Sequence, residues 1–344
     1  MTYPLIITGA GASYDCVPPG DYPVNDYDLR DWKPPLTKYL FDGTRFQNLI
    51  DKYPEMTDMV SHIRSRLRAG SLTFEEVLTT QHKDGVKNDP DLKKSFVALL
   101  FYLSDLFGSV SRNYYRPNNN YSDLFHQIKQ NGGRAIFVNF NYDLLLERVL
   151  GKTNVDNPDD YISGNIPIIK IHGACNWYWA RGINLLEDKP SYDLLMSVPE
   201  TIIGTPNMEE WKLVIKNDKE NPKSIYAKQF APLRGYSFHP ALALPIQEKN
   251  NFVCPQSHID LLNLQIPKID RILIIGWKVK DQFLLNLLLE ELSKRNIPIA
   301  FVGGEDSKNT LEQLNAKITS NIRVIADKGF TNYMGSDEAE EFLK

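Results

Sequence analysis

Three short stretches of the chain carry residue types that could do chemistry together. Gly9-Ala10-Gly11-Ala12-Ser13 follows an apolar run and reads as a Gly-x-Gly-x-Ser turn. At such a turn backbone N–H groups can approach a phosphate closely, because glycine has no Cβ to block the approach or forbid the backbone angles. Asn139-Phe140-Asn141-Tyr142-Asp143 sets an amide and a carboxylate two residues apart after another apolar run, and Ile171-His172-Gly173 sets an imidazole before a glycine. Imidazole titrates near neutral pH and suits general-base work. Each stretch also has a purely structural use. Gly-x-Gly turns corners, Asn139 makes turns, Asp143 caps the helix that opens at Leu144, and a histidine before glycine sits in many turns.

The elements that must position these residues are legible from the apolar patterning. Short apolar runs at 3–8, 134–140, 166–171, 270–276, 297–302 and 322–326 predict strands, most of them stopped by glycine or a polar residue. Helical spacing at 144–150, 281–295 and 308–316 alternates with them. A long block, 36–130, is helical throughout: Leu92, Phe96, Leu99, Leu100, Leu103 and Leu106-Phe107 recur at helix spacing. Alternating strands and helices imply a parallel sheet with right-handed crossovers. The expected fold is therefore α/β, a Rossmann-like parallel sheet with helices on both faces and a large helical insertion after the first strand. The expectation is one domain over 1–344, with 36–130 as the insertion. Between 174 and 265 the patterning is poor and predicts short strands, including 241–244, with a helix near 259–264. The Pro-, Asp- and Tyr-rich loop over 15–35 reads as a lid or a binding loop. In parallel sheets ligands sit beyond the carboxyl ends of the strands. Gly9, Asn141, His172, Gly276 and Gly303 all fall at or just past such ends, so they are expected to converge on one crevice.

Bulk properties exclude several classes. The chain has 344 residues, 42% of them hydrophobic and 24% charged, with a net charge of −4, so no basic field supports nucleic-acid binding. No apolar run approaches the roughly 18 residues needed to cross a bilayer, so a cytoplasmic protein without membrane contact is expected. Cys16, Cys175 and Cys254 are widely spaced and cannot form a four-cysteine zinc site. No metal is expected. A Walker lysine and a Gly-x-Ser-x-Gly elbow are both absent.

The order Gly9-Ala10-Gly11-Ala12-Ser13, Asn141-Tyr142-Asp143, His172-Gly173 and Gly276 after a strand resembles the sirtuin (silent information regulator 2) superfamily. It is most similar to the bacterial sirtuin-like NADase branch associated with antiphage defence. Phe74-Glu75-Glu76-Val77-Leu78 and Gly276-x-x-x-x-Asp281 before a helix resemble that branch too. The resemblance implies NAD as substrate, with its pyrophosphate on Gly9, Ala10, Gly11 and Ser13. It implies that Asn141 holds the nicotinamide ribose and a water, that Asp143 binds the carboxamide, and that His172 is the general base. Gly276 and Gly303 would let adenosine pack on backbone. The bond broken joins nicotinamide to ribose through an oxocarbenium-like transition state, as in glycoside cleavage.

Departures from the family pattern refine this. Tyr14-Asp15-Cys16-Val17-Pro18-Pro19-Gly20 replaces the Gly-Ile-Pro-Asp-Phe-Arg stretch of protein-deacylating sirtuins. Phe140 stands where glutamine is usual, and Lys278 where serine is common. The zinc module that helps frame an acyl-lysine groove is missing. The resemblance therefore implies NAD hydrolysis causing NAD depletion. The alternatives are an NAD-dependent protein deacylase and a non-catalytic sensor of NAD or ADP-ribose. A homo-oligomer or a regulatory partner protein from the same defence system is expected to restrain the activity, with 36–130 as the surface. Lys33, Lys38 and Lys249 are basic residues placed to approach the pocket, though for the first two a solvated face is the plainer use. His239, His258 and Cys254 lack metal-ligand spacing and read as packing or loop residues.

Overall fold

The computed structural model describes residues 2–18, 30–69, 72–85, 89–182, 211–216, 236–244, 252–304, 307–318, 322–326 and 329–344. Residues 19–29 of the expected lid, and Lys249, lie outside these. In chain order the strands are β1 (Pro4–Thr8), β2 (Ile136–Asn139), β3 (Ile168–Ile169), β4 (Gly173–Gly182), β5 (Lys212–Ile215), β6 (Tyr236–Leu242), β7 (Arg271–Ile275), β8 (Ile299–Val302) and β9 (Ile322–Ala326). Six of them form one sheet in the order β3-β2-β1-β7-β8-β9, and every pairing in it is parallel. From β1 the chain steps outward through β2 and β3; from β7 it steps the other way through β8 and β9. The order therefore reverses between β1 and β7. Such a reversal opens a crevice at the carboxyl edge of a parallel sheet.

Alternate residues of these strands face two separate cores. Ile6, Phe137, Ile168, Leu273, Ile275, Ala300 and Val302 enter one. Leu5, Ile7, Ile136, Val138, Ile169, Ile272, Ile274, Ile299 and Phe301 enter the other. That is the two-residue period of a strand with both faces covered, which is why the sequence runs read as nearly continuous Ile, Leu and Val.

The helices of the block after the first strand are α2 (Gly43–Ile50), α3 (Thr57–Arg68), α4 (Phe74–Gly85), α5 (Pro90–Asn113) and α6 (Asn120–Gln130), preceded by the short α1 (Ala10–Tyr14). They pack on the first core. Helix α5 starts on Asp89, whose carboxylate accepts the N–H groups of Asp91 and Leu92, with Pro90 in the first turn. It is buried at nearly every position from Ser95 to Ser111, the mark of a helix enclosed on all sides. After α7 (Leu145–Val149), the helices α8 (Gln256–Gln265), α9 (Gln282–Lys294) and α10 (Lys308–Lys317) cover the second core through Ile259, Leu262, Leu284, Leu285, Leu288 and Leu314. The chain continues past β9 into α11 (Phe330–Met334) and α12 (Asp337–Leu343), which the sequence patterning left unassigned.

The weakly patterned region after 174 differs most from expectation. It contains a ten-residue strand, β4, which begins directly after His172 and lies between β5 and β6 in an antiparallel sheet. The apolar stretch over 241–244 begins inside the last residues of β6, and the helix expected near 259–264 is α8. Gly173 makes the corner: its φ is +77°, and a Cβ there would lie 2.0 Å from the Ala241 carbonyl oxygen. Trp177, Trp179 and Trp211 are core residues. No helix among the described residues is long and apolar enough to cross a membrane.

Candidate active site

The Gly-Ala-Gly turn lies against the end of β7. Gly9 N–H donates to the Ile275 oxygen at 3.0 Å and Gly11 N–H to the Gly276 oxygen at 3.1 Å. A Cβ on Gly9 would meet the Gly276 oxygen at 2.6 Å, and one on Gly11 the Gly276 Cα at 2.8 Å. Gly276 has φ +61°, and its Cβ would lie 2.4 Å from Ala12 N. These three glycines therefore dock one turn on another, backbone against backbone. Two amides expected to face a phosphate are engaged with the β7 turn, while Ala10 and Gly11 form the half-exposed part of α1. Gly303 ends β8, on the far side of β7. Its carbonyl accepts Gly329 N–H at 2.7 Å, and a Cβ would strike Ser307 Oγ at 2.3 Å.

Asn141 leaves β2 and turns back under α1. Its Nδ2 donates to the Gly9 oxygen and to Ser13 Oγ, both at 2.9 Å. Ser13 Oγ in turn donates to Asp143 Oδ1 at 3.1 Å and lies 3.2 Å from Tyr121 OH. With both amide hydrogens committed to the protein, Asn141 presents its Oδ1 as the group for a ligand hydroxyl or a water. Asn139 makes the turn: its Oδ1 accepts both Asn141 N–H and Thr8 Oγ1 at 3.0 Å. Asp143 Oδ1 also accepts Leu145 N–H at 3.1 Å, the capping use noted from sequence. Burial pushes the Asp143 carboxyl up to about 6 against the pull of Lys170. Burial likewise raises the Tyr121 hydroxyl well above its ordinary range, so it stays protonated as a donor.

Beneath this loop lies a fully buried lysine. Lys170 Nζ donates to the Asn141 oxygen at 2.7 Å, the Asp143 oxygen at 3.2 Å and Glu147 Oε1 at 2.7 Å. Lys170 and Glu147 are both 0% exposed. Glu147 Oε1 also accepts Asn139 Nδ2 at 3.0 Å. The ammonium group thus crosslinks the ends of β2 and β3 and holds the backbone on which Asn141 and Asp143 stand.

His172 follows β3, beside Phe140 of β2's exit: the two rings are 4.9 Å apart, edge to face. Phe140 stacks on Trp277 at 5.3 Å with the planes 6° apart. His172 Nε2 lies 3.1 Å from Asp281 Oδ2, and Asp281 Oδ1 accepts Leu284 N–H at 2.8 Å. The Phe140 ring is therefore a spacer between the imidazole and Trp277.

Five expected residues, Gly9, Gly11, Ser13, Asn141 and Asp143, share one continuous hydrogen-bonded cluster with Gly276, and Ala10 lies on its open side. His172 stands at the neighbouring strand end, two residues beyond Lys170. Gly303 is set apart. Tyr121, Lys170, Glu147 and Asp281 were not among the expected site residues. Tyr121 belongs to the helical block, which sequence alone had given no role in chemistry. The histidines read as packing residues are buried: burial lowers His258 to about 4 and His239 to about 3, and His258 Nε2 lies 3.0 Å from the Pro158 oxygen. Lys33 lies with its Nζ 3.8 Å above the Tyr14 ring at the end of α1, while Lys38 is exposed. Among the described residues no group of three or more His, Cys, Asp or Glu is placed to hold a metal ion.

No protein-family model matches the chain, and no curated protein matches it. Among solved structures, a Sir2 homologue in complex with NAD aligns with 99% of this chain and 89% of its own, at 14% identity and a TM-score of 0.43. A mutant Sir2 homologue in complex with 2'-O-acetyl ADP ribose aligns over 99% and 91%, at 14% identity and a TM-score of 0.45. A mutant Sir2 homologue in complex with ADP ribose aligns over 99% and 91%, at 13% identity and a TM-score of 0.43.

Proposed function

We propose that the carboxyl edge of the parallel sheet binds NAD across the β1/β7 reversal, and that the chain cleaves the nicotinamide–ribose bond with water to give nicotinamide and ADP-ribose. One observation carries this reading: a Gly-Ala-Gly turn, an oriented asparagine amide and a carboxylate-held histidine stand at the ends of three adjacent strands, β1, β2 and β3. The pyrophosphate lies over the half-exposed Ala10 and Gly11, and adenosine extends toward β7 and β8, where Gly276 and Gly303 end their strands.

Departure of nicotinamide leaves positive charge on the ribose ring, shared between the anomeric carbon and the ring oxygen. Asn141 is built to meet that charge. Its Nδ2 is tied to Gly9 and Ser13, so the negative end of the amide dipole, Oδ1, faces the ligand without reorganisation during reaction. The same oxygen accepts a hydrogen bond from the attacking water. His172 takes the proton from that water or from a ribose hydroxyl. Asp143 acts through Ser13, keeping the hydroxyl oriented on Asn141.

The test is nicotinamide release from NAD by the purified protein, without any acylated peptide. Asn141→Ala should abolish release while the circular dichroism spectrum stays that of the parent. Release that survives the substitution removes Asn141 from the mechanism; release that strictly requires an acyl-lysine peptide makes the protein a deacylase instead. An enzyme of this kind would deplete cellular NAD and needs restraint, so we place it as a defence effector held in check by its own assembly or by a partner protein.

A further inference from the structure

We infer that Asp281 is a positioning residue for His172, fixing the ring with its proton on Nε2 so that Nδ1 is the basic atom turned to the substrate. The inference rests on the proposed use of His172 as the base.

Asp281 divides its carboxylate between two tasks. One oxygen caps α9 through Leu284 N–H, and the other lies 3.1 Å from His172 Nε2. Capping alone does not require a charge, since serine or asparagine serves as well at that position. A carboxylate accepts only, so the ring nitrogen facing it must carry the proton, and the lone pair of the neutral ring then falls on Nδ1. The pair is well shielded, with side-chain exposures of 16% and 8%. The chain holds Asp281 in place through an unusual turn. Gly276 has φ +61° and Val279 has φ +57°. A positive φ at a β-branched residue is a genuine outlier, kept only where the surroundings over-determine it. Val279 is 5% exposed, buried in the second core.

Among the described residues, three neighbouring ionisable groups lie outside the pair. Lys280 of the same turn pairs with Glu75 Oε2 at 3.3 Å. Lys278 is exposed. Cys254, close enough for Asp281 to act on it, is pushed up to about 12, chiefly by burial, and stays neutral. Phe140, against the imidazole, and Trp277, stacked on Phe140, carry no charge.

Asp281→Asn keeps a capping oxygen but can turn its NH2 toward the ring, which favours the opposite tautomer. Asp281→Ser keeps a cap and withdraws the carboxylate altogether. Long-range 1H–15N spectra of the imidazoles, with His172 assigned through its own substitution, read the tautomer directly and need no NAD. We expect Nε2–H in the parent and loss of that preference in both variants. In turnover, kcat should fall about a hundredfold or more, as when an Asp that orients a catalytic histidine becomes Asn. KM should stay within about threefold, because no binding group is touched. An unchanged tautomer in both variants overturns the inference, and so does a changed tautomer with undiminished kcat. Should the parent protein cleave no NAD at all, the proposed function fails, and the spectra alone then decide for or against Asp281.

Discussion

Replacing Lys170 by methionine tests how the site loop is held. The ammonium group makes three hydrogen bonds, at 2.7, 3.2 and 2.7 Å, and so uses all three of its donors. Methionine fills similar space without any of them. Glu147 is then left as a buried carboxylate with only Asn139 on Oε1, and its Oε2 already has no partner among the described residues. Breaking a buried ion pair from one side costs about 3–5 kcal/mol. The orphaned carbonyls of Asn141 and Asp143 add about 1–3 kcal/mol each at most, and these contributions overlap. We therefore expect Lys170→Met to lower stability by about 4–6 kcal/mol, a large part of the roughly 5–15 kcal/mol typical of a folded protein. Urea denaturation followed by tryptophan fluorescence measures this. The decisive comparison is the double variant Lys170→Met/Glu147→Leu. Removing the stranded carboxylate leaves only the orphaned carbonyls and the lost Asn139 contact, so the double variant should be more stable than Lys170→Met alone. A single variant within about 1 kcal/mol of the parent, or a double variant less stable than Lys170→Met, would refute the assignment of the pair as the support of this loop.

Two further expectations concern stability. The Asp143 carboxyl is raised from 3.8 to about 6, so folding favours its protonated form. That contribution is complete below pH 3.8 and is lost as pH rises through about 6. It amounts to about 3 kcal/mol at about 1.4 kcal/mol per unit. Asp143→Asn should flatten this segment of the melting temperature against pH between pH 4 and 7; an unchanged slope would show that another group sets it. Gly276→Ala puts a Cβ at 2.4 Å from Ala12 N on a residue with φ +61°. We expect a loss of more than about 2 kcal/mol by thermal melting, together with loss of NAD binding by calorimetry. An alanine variant as stable as the parent would mean that the two turns do not need this contact.

The parallel sheet was legible because each of its strands carries a local signal, an apolar run stopped at its carboxyl end. The antiparallel sheet was not. Gly-Ala-Cys-Asn-Trp-Tyr-Trp-Ala-Arg-Gly mixes small, polar and aromatic residues, and β4 becomes a strand through pairing with β6, some sixty positions away and interrupted by Pro240. The same holds within the site. Asn141, Asp143 and His172 were found because strand ends mark them. Lys170 reads in sequence as the polar end of a strand, and only residues 23 to 29 positions earlier reveal it as a buried crosslink. Asp281 reads as a helix start, which it is. Its second partner stands 109 residues away, and no local pattern points to it.

The corner at Gly173 joins two sheets through one residue that cannot be replaced without a collision. His172 sits on the parallel side of that joint, and its own carbonyl accepts Ala243 N–H from the chain leaving β6, at 3.0 Å. The backbone of His172 is thus tied to the smaller sheet as well as to the larger. Asn141 is held instead by α1 and Lys170, so a displacement of β4 and β6 against the parallel sheet would change the spacing of His172 and Asn141.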